Sequence, residues 1–187
     1  VAGTAEMDLF GFVTVSGDFA VTKKSNQSVY VSSAVDANTL VTANLLAIGM
    51  AGVSAFVGYG STGLNLTGVD LAIALWSEVG GAGRQWTSVM GSIGSAAFVG
   101  VAGLALSVSK MTLEINKSAA DGTLVDYVAG AGETSVSALV VTVGPGQTVT
   151  FALDDADGEY LQVAGTAEMD LFGFVTVSGD FAVTKKS

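Results

Sequence analysis

The sequence has no cysteine, no histidine and a single proline, Pro145, among 187 residues. Without cysteine there is no disulfide framework, thiolate nucleophile or cysteine metal cluster, and without histidine there is no imidazole base or ligand. Composition alone therefore excludes most hydrolase triads and zinc sites. Charge is also scarce. Only 13% of residues are charged, and 17 acidic residues against 7 basic ones give a formal net charge of -10. An excess of that sign repels phosphate backbones and anionic lipid headgroups, so nucleic acid is not an expected partner. The chain is rich instead in apolar residues, at 50%, and in glycine, with 25. Burial of that much apolar surface can offset the entropy of ordering, and a folded chain is expected.

Residues 163–187 read VAGTAEMDLFGFVTVSGDFAVTKKS, and residues 1–25 are the same 25 letters in the same order. An identical run at an offset of 162 marks a tandem array. Residues 1–162 are read as one full period and 163–187 as the first strands of the next, with both ends expected to be cuts. The stretch starting at Val1 has no basic n-region or A-x-A-like cleavage site, and no targeting signal is read there. A weaker echo lies inside the period. Phe56-Val57-Gly58 followed by Gly63-Leu64-Asn65-Leu66 resembles Phe98-Val99-Gly100 followed by Gly103-Leu104-Ala105-Leu106. A fainter one links Phe12-Val13 to Gly17 with Val140-Val141 to Gly144. Together they suggest four divergent subunits of about forty residues.

From 163 to 183 every odd position is apolar or glycine, while Glu168, Asp170 and Asp180 fall on even positions. That period of two predicts a sheet with one buried face and one wet face. A run so long must bend, and Gly173 and Gly179 are the candidate bulges or corners. On this reading Phe172 and Phe174 point outward with the polar set, and with their copies Phe10 and Phe12 they form a candidate assembly patch. The phase of the alternation changes twice elsewhere. Leu64 and Leu66 are even but Leu71 and Ile73 odd, with Gly68 between them; Leu104 and Leu106 are even but Met111 and Leu113 odd, which places a corner near Ser109-Lys110. Polar breaks separate many such strands, and no long amphipathic helix with caps is legible.

Three motifs invite chemistry. Gly58 to Gly63 spells G-x-G-x-x-G, but a strand-like stretch follows where phosphate binding needs a helix N-terminus, so a glycine-rich turn is predicted. Ser107 to Lys110 matches S-x-x-K without its companion motifs, and alternation puts the two side chains on opposite faces. Asp154, Asp155, Asp157 and Glu159 around Gly158 are the candidate calcium ligands, oxygen donors at close spacing with a turn-making glycine, although the remaining EF-hand ligands are missing. Residues 37–69 and 85–109 carry no charge, but interrupting Asn and Thr and the lack of flanking basic anchors argue against membrane helices. Alternation would suit an outer-membrane barrel, whereas a 162-residue tandem array does not.

The ordered combination of AEMDLFGFVTVSGDFAV, SAAFVGVAGLALSVSKMTLEIN and DGTLVDYVAGAG resembles tandem repeats of very large bacterial surface or secreted, adhesin-like proteins. The resemblance implies an extracellular or cell-surface, repetitive, structural or adhesive role. The expected fold is all-β, a stacked β-solenoid-like tandem repeat, with an elongated β-sandwich module as the alternative. The expected function is a structural repeat of an extracellular fibre or array whose partners are copies of itself, joined head to tail by strand pairing. A calcium- or carbohydrate-binding adhesin module is the alternative. No enzyme activity and no obligate cofactor are expected. The two identical segments are expected to compete for one slot, leaving the other to end the stack or to pair with a neighbour.

Overall fold

The computed structural model describes residues 1–33, 36–128 and 137–186. The chain is all-β. Its strands are β1 (Ala2–Leu9), β2 (Val13–Ser33), β3 (Asp36–Tyr59), β4 (Thr62–Glu78), β5 (Gln85–Val99), β6 (Leu104–Lys117), β7 (Leu124–Val125), β8 (Val140–Gly144), β9 (Gln147–Thr150), β10 (Tyr160–Leu171) and β11 (Val175–Lys186). Eight of them form one antiparallel sheet in the order β1-β2-β3-β4-β5-β6-β10-β11, with β7 added to β2, and β8 and β9 form a separate hairpin. The sheet is open, since β1 and β11 lie at its two ends. Four hairpin tips, at residues 10–12, 60–61, 100–103 and 172–174, fall on one rim because all neighbours run antiparallel. Each hairpin pairs mainly with its sequence neighbours, as in a repeat protein, and one end of the sheet carries a second layer.

The hairpin β1-β2 shows why the 25-residue segment folds as it does. The Asp8 carboxylate accepts the Gly11 N–H at 2.7 Å. Phe10 and Gly11 both take positive φ, at 55° and 72°, the left-handed backbone that tight hairpin turns require. The copy repeats every detail: Asp170 accepts from Gly173 at 2.8 Å, with φ of 55° at Phe172 and 69° at Gly173. Phe172 and Phe174 therefore flank a turn glycine at a hairpin tip and do not stand on the wet face of one long strand. Alternation continues in phase through the turn, so periodicity alone could not reveal the reversal.

The phase changes correspond to corners. Gly52, Gly68 and Lys110 have φ of 58°, 63° and 52°, and they lie in β3, β4 and β6, across the middle of the sheet. Pairing slips at Gly52 and at Lys110. A bulged residue reverses which parity points to which face. Large apolar side chains on both sides of this band therefore share one face, although their sequence parity differs.

The described residues of 118–128 and 137–160 cross one face at the end remote from the hairpin tips. Of these, Tyr127, Val141, Val143, Phe151 and Leu153 join Leu45, Trp76 and Trp86 of the sheet in the core. The sheet meets them largely with alanines, Ala43, Ala47, Ala51, Ala72 and Ala74, all buried. Small residues let the layers approach. A Cβ on Gly49 would stand 2.3 Å from the Thr142 carbonyl oxygen, so only glycine fits under β8. Each large buried side chain contributes roughly 1.5–3 kcal/mol. A buried polar chain pins the layers together. The Trp76 Nε1–H donates to the Tyr127 hydroxyl at 2.9 Å, that hydroxyl donates to Ser88 at 2.9 Å, and Ser88 donates to Asn116 at 3.2 Å. The amide nitrogen of Asn116 returns to the layer at the Val125 carbonyl. Residues 140–144, which echo Phe12 to Gly17 in sequence, lie in this layer and not in the main sheet.

Candidate functional site

The two copies of the repeated segment occupy opposite ends of the sheet, so they do not compete for one slot. Their internal pairing is the same: Leu9↔Val13 and Ala2↔Ala20 in the first, Leu171↔Val175 and Ala164↔Ala182 in the second. Thr4 donates to Asp18 at 2.7 Å, and Thr166 donates to Asp180 at 2.7 Å. Their surroundings are complementary. The first copy is paired through its second strand, with Val13↔Val57 and Val21↔Ile48 against β3. The second is paired through its first strand, with Leu171↔Leu104 and Val163↔Leu113 against β6. Among the described residues, the outer edge of β1 is the edge that β6 occupies in the copy, and the outer edge of β11 is the one that β3 occupies in the original.

Side-chain exposure follows the same rule. Phe12 stacks on Tyr59 of the β3-β4 tip, with ring centroids 5.7 Å apart, and is 50% exposed where its copy Phe174 is 91% exposed. Phe172 lies over Gly103 of the β5-β6 tip, and is 64% exposed where Phe10 is 94% exposed. Each copy has the neighbour that the other is missing. Chemically, such edges offer rows of N–H and C=O groups for ladder extension, with aromatic side chains at the rim.

The acidic stretch 154–159 is divided by the fold. Asp154, Asp155 and fully buried Asp126 bring one carboxylate oxygen each to within 4.8 Å of one another. Asp154 also accepts the Ala156 N–H at 2.9 Å, capping a short 3-10 turn over Asp155–Asp157, and Asp155 accepts from the Ser32 hydroxyl. The other two candidates turn elsewhere. Asp157 pairs with Lys186 at 3.3 Å, and Glu159 accepts from the Ser118 N–H at 3.1 Å and from its hydroxyl. The residues able to hold a cation are thus Asp126, Asp154 and Asp155. Asp126 lies 28 positions before Asp154, where a search of one contiguous run could not find it. Its only sequence signal is a lone carboxylate inside the apolar run Leu124 to Val128.

Gly58 to Gly63 forms the β3-β4 tip, with Gly60 at φ 61°, a turn between two strands with no helix after it. Lys110 of the S-x-x-K match occupies a bulge. Among the described residues no helix is long and apolar enough to cross a membrane. In comparisons with protein-family models, curated proteins and solved structures, none matches this chain.

Proposed function

We propose that this chain is a structural repeat of a fibre or array at a cell surface or outside the cell, in which successive periods share one continuous sheet. The complementary environments of the two identical hairpins carry this reading. A single hairpin placed between β6 of one period and β3 of the next satisfies every pairing seen at both ends. It would also cover both aromatic tips, with Gly103 under the first phenylalanine and Tyr59 against the second. Phe10, Phe12, Phe172 and Phe174 are the assembly residues of this junction. The role is mechanical, namely length, stiffness and display, and it requires neither a catalytic group nor a cofactor. Imaging by electron microscopy tests it on two shortened chains. Removal of residues 163–187 opens the β6 edge to the hairpin 1–25 of the next copy and should permit extended assemblies, whereas removal of both 1–25 and 163–187 should abolish them; undiminished assembly without either hairpin would remove the hairpin from the junction.

A second reading, a calcium-binding adhesin module, is favoured by the convergence of Asp126, Asp154 and Asp155. A ligand that binds only the folded state raises its melting temperature. Calorimetry with calcium and with chelator should then show a calcium-dependent rise that Asp154→Asn abolishes; equal melting in both conditions contradicts it.

A further inference from the structure

Among the described residues, none forms a layer over one face of the sheet, and that face is largely apolar. The corner band is the reason. Register places Val13, Val57, Leu64, Phe98, Leu106 and Met169 in one row across the outer half. Beyond the band, Val21, Ile48, Ile73, Val89, Ile115 and Leu161 form another. The unbroken alternation of β10, from Leu161 through Val163 to Met169, shows that both rows face the same way. Val57, Leu64, Leu106 and Leu161 are exposed. Glu6, Asp18, Asp70, Glu114, Glu168 and Asp180 lie on the opposite face.

Residues 118–128 and 137–160 cover that opposite face, so the rows obtain no cover from the described chain. Eight strands about 4.8 Å apart and ten residues at about 3.3 Å each give this face about 1,200 Å². That is about twice the largest apolar patch of an ordinary monomer, at roughly 600 Å². It also exceeds the roughly 800 Å² that each partner buries in a stable complex. We infer that a second copy of this chain packs on this face, sheet against sheet, in a two-fold symmetric pair. Among the described side chains, the charges in the ladders of this face are cationic and lie at one rim, Lys23 opposite Leu46, Lys117 opposite Thr87 and Lys185 opposite Leu161. An antiparallel two-fold arrangement sets these lysines over the partner's aromatic tips and keeps the two cationic rims apart. Immersion in lipid is disfavoured, because the open edges of β1 and β11 would carry backbone groups that hydrocarbon cannot satisfy. This pairing uses a face and head-to-tail growth uses edges, so the two readings stand or fall separately.

Sedimentation of the intact chain tests it. The smallest stable species should have twice the 18.7 kDa chain mass. Leu71→Lys with Leu113→Lys should halve that mass while the emission of Trp76 and Trp86, buried on the other face, stays that of the folded chain. As a second measurement, a spin label at Leu71→Cys, near the centre of the face in a chain without native cysteine, should report a short label-to-label distance. A label at Asn65→Cys, on the opposite face, should not. Three results would overturn the pairing: a folded chain of single mass at every accessible concentration, a label at Leu71→Cys with no close partner, or a single-mass chain that floats with uncharged phosphatidylcholine vesicles. Loss of lengthwise growth with the double mass retained would count against the edge junction alone.

Discussion

Tyr127 is the residue on which the joining of layer to sheet turns. It is buried among apolar side chains, and burial pushes its hydroxyl well above the ordinary tyrosine range, so the phenol remains a hydrogen-bond donor at any working pH. Removing the oxygen in Tyr127→Phe leaves the Trp76 indole and the Ser88 hydroxyl each short of a buried partner. An unsatisfied buried group costs about 1–3 kcal/mol, and urea unfolding followed by tryptophan emission should show a loss of that order. An unchanged midpoint would mean that the network contributes nothing. The network has no mark in the sequence, because its bonded side-chain pairs lie 28 to 51 positions apart.

At the scale of the element, the β4-β5 turn is held by charge. Arg84 binds Glu78 through Nη2 at 2.8 Å and through Nε at 3.1 Å, and its guanidinium lies 5.2 Å from the centre of the Trp86 ring. The hydrogen bonds from Arg84 hold the Glu78 carboxyl down at about 2, against an ordinary value of 4.5. A depressed carboxyl pKa adds stability that is complete above the unfolded value and is lost as pH falls through the folded one. Acid titration monitored at Trp86 should therefore show the turn loosening between pH 4.5 and about 2. Arg84→Gln should move that loosening upward toward 4.5, and identical titrations would contradict the ion pair. Much at this scale is legible beforehand. The period of two marks the strands, and the parity changes at Gly68 and Lys110 mark real corners. The reversal at Phe172–Phe174 is not legible, because a turn that preserves parity leaves alternation intact. Nor is the packing of Tyr127, Val141, Val143, Phe151 and Leu153 over the alanines, which depends on contacts far apart in the chain.

At the scale of the whole molecule, the duplicated segment is the most informative feature of the sequence, but its meaning depends on where the fold puts each copy. Identical letters predict identical hairpins, and that is what forms; only the sheet order shows that one is paired on its left and the other on its right. The acidic cluster was half legible, in that Asp154 and Asp155 converge while Asp157 and Glu159 are drawn to Lys186 and Ser118. Joining periods through one shared hairpin adds six strands, β1 to β6, to the sheet with each repeat. The most direct measurement is small-angle scattering from a chain carrying two consecutive periods. One continuous sheet predicts a rigid particle lengthened across the strands by about 29 Å, six spacings of about 4.8 Å. Two bodies with no fixed separation, each of the size of a single period, would contradict it.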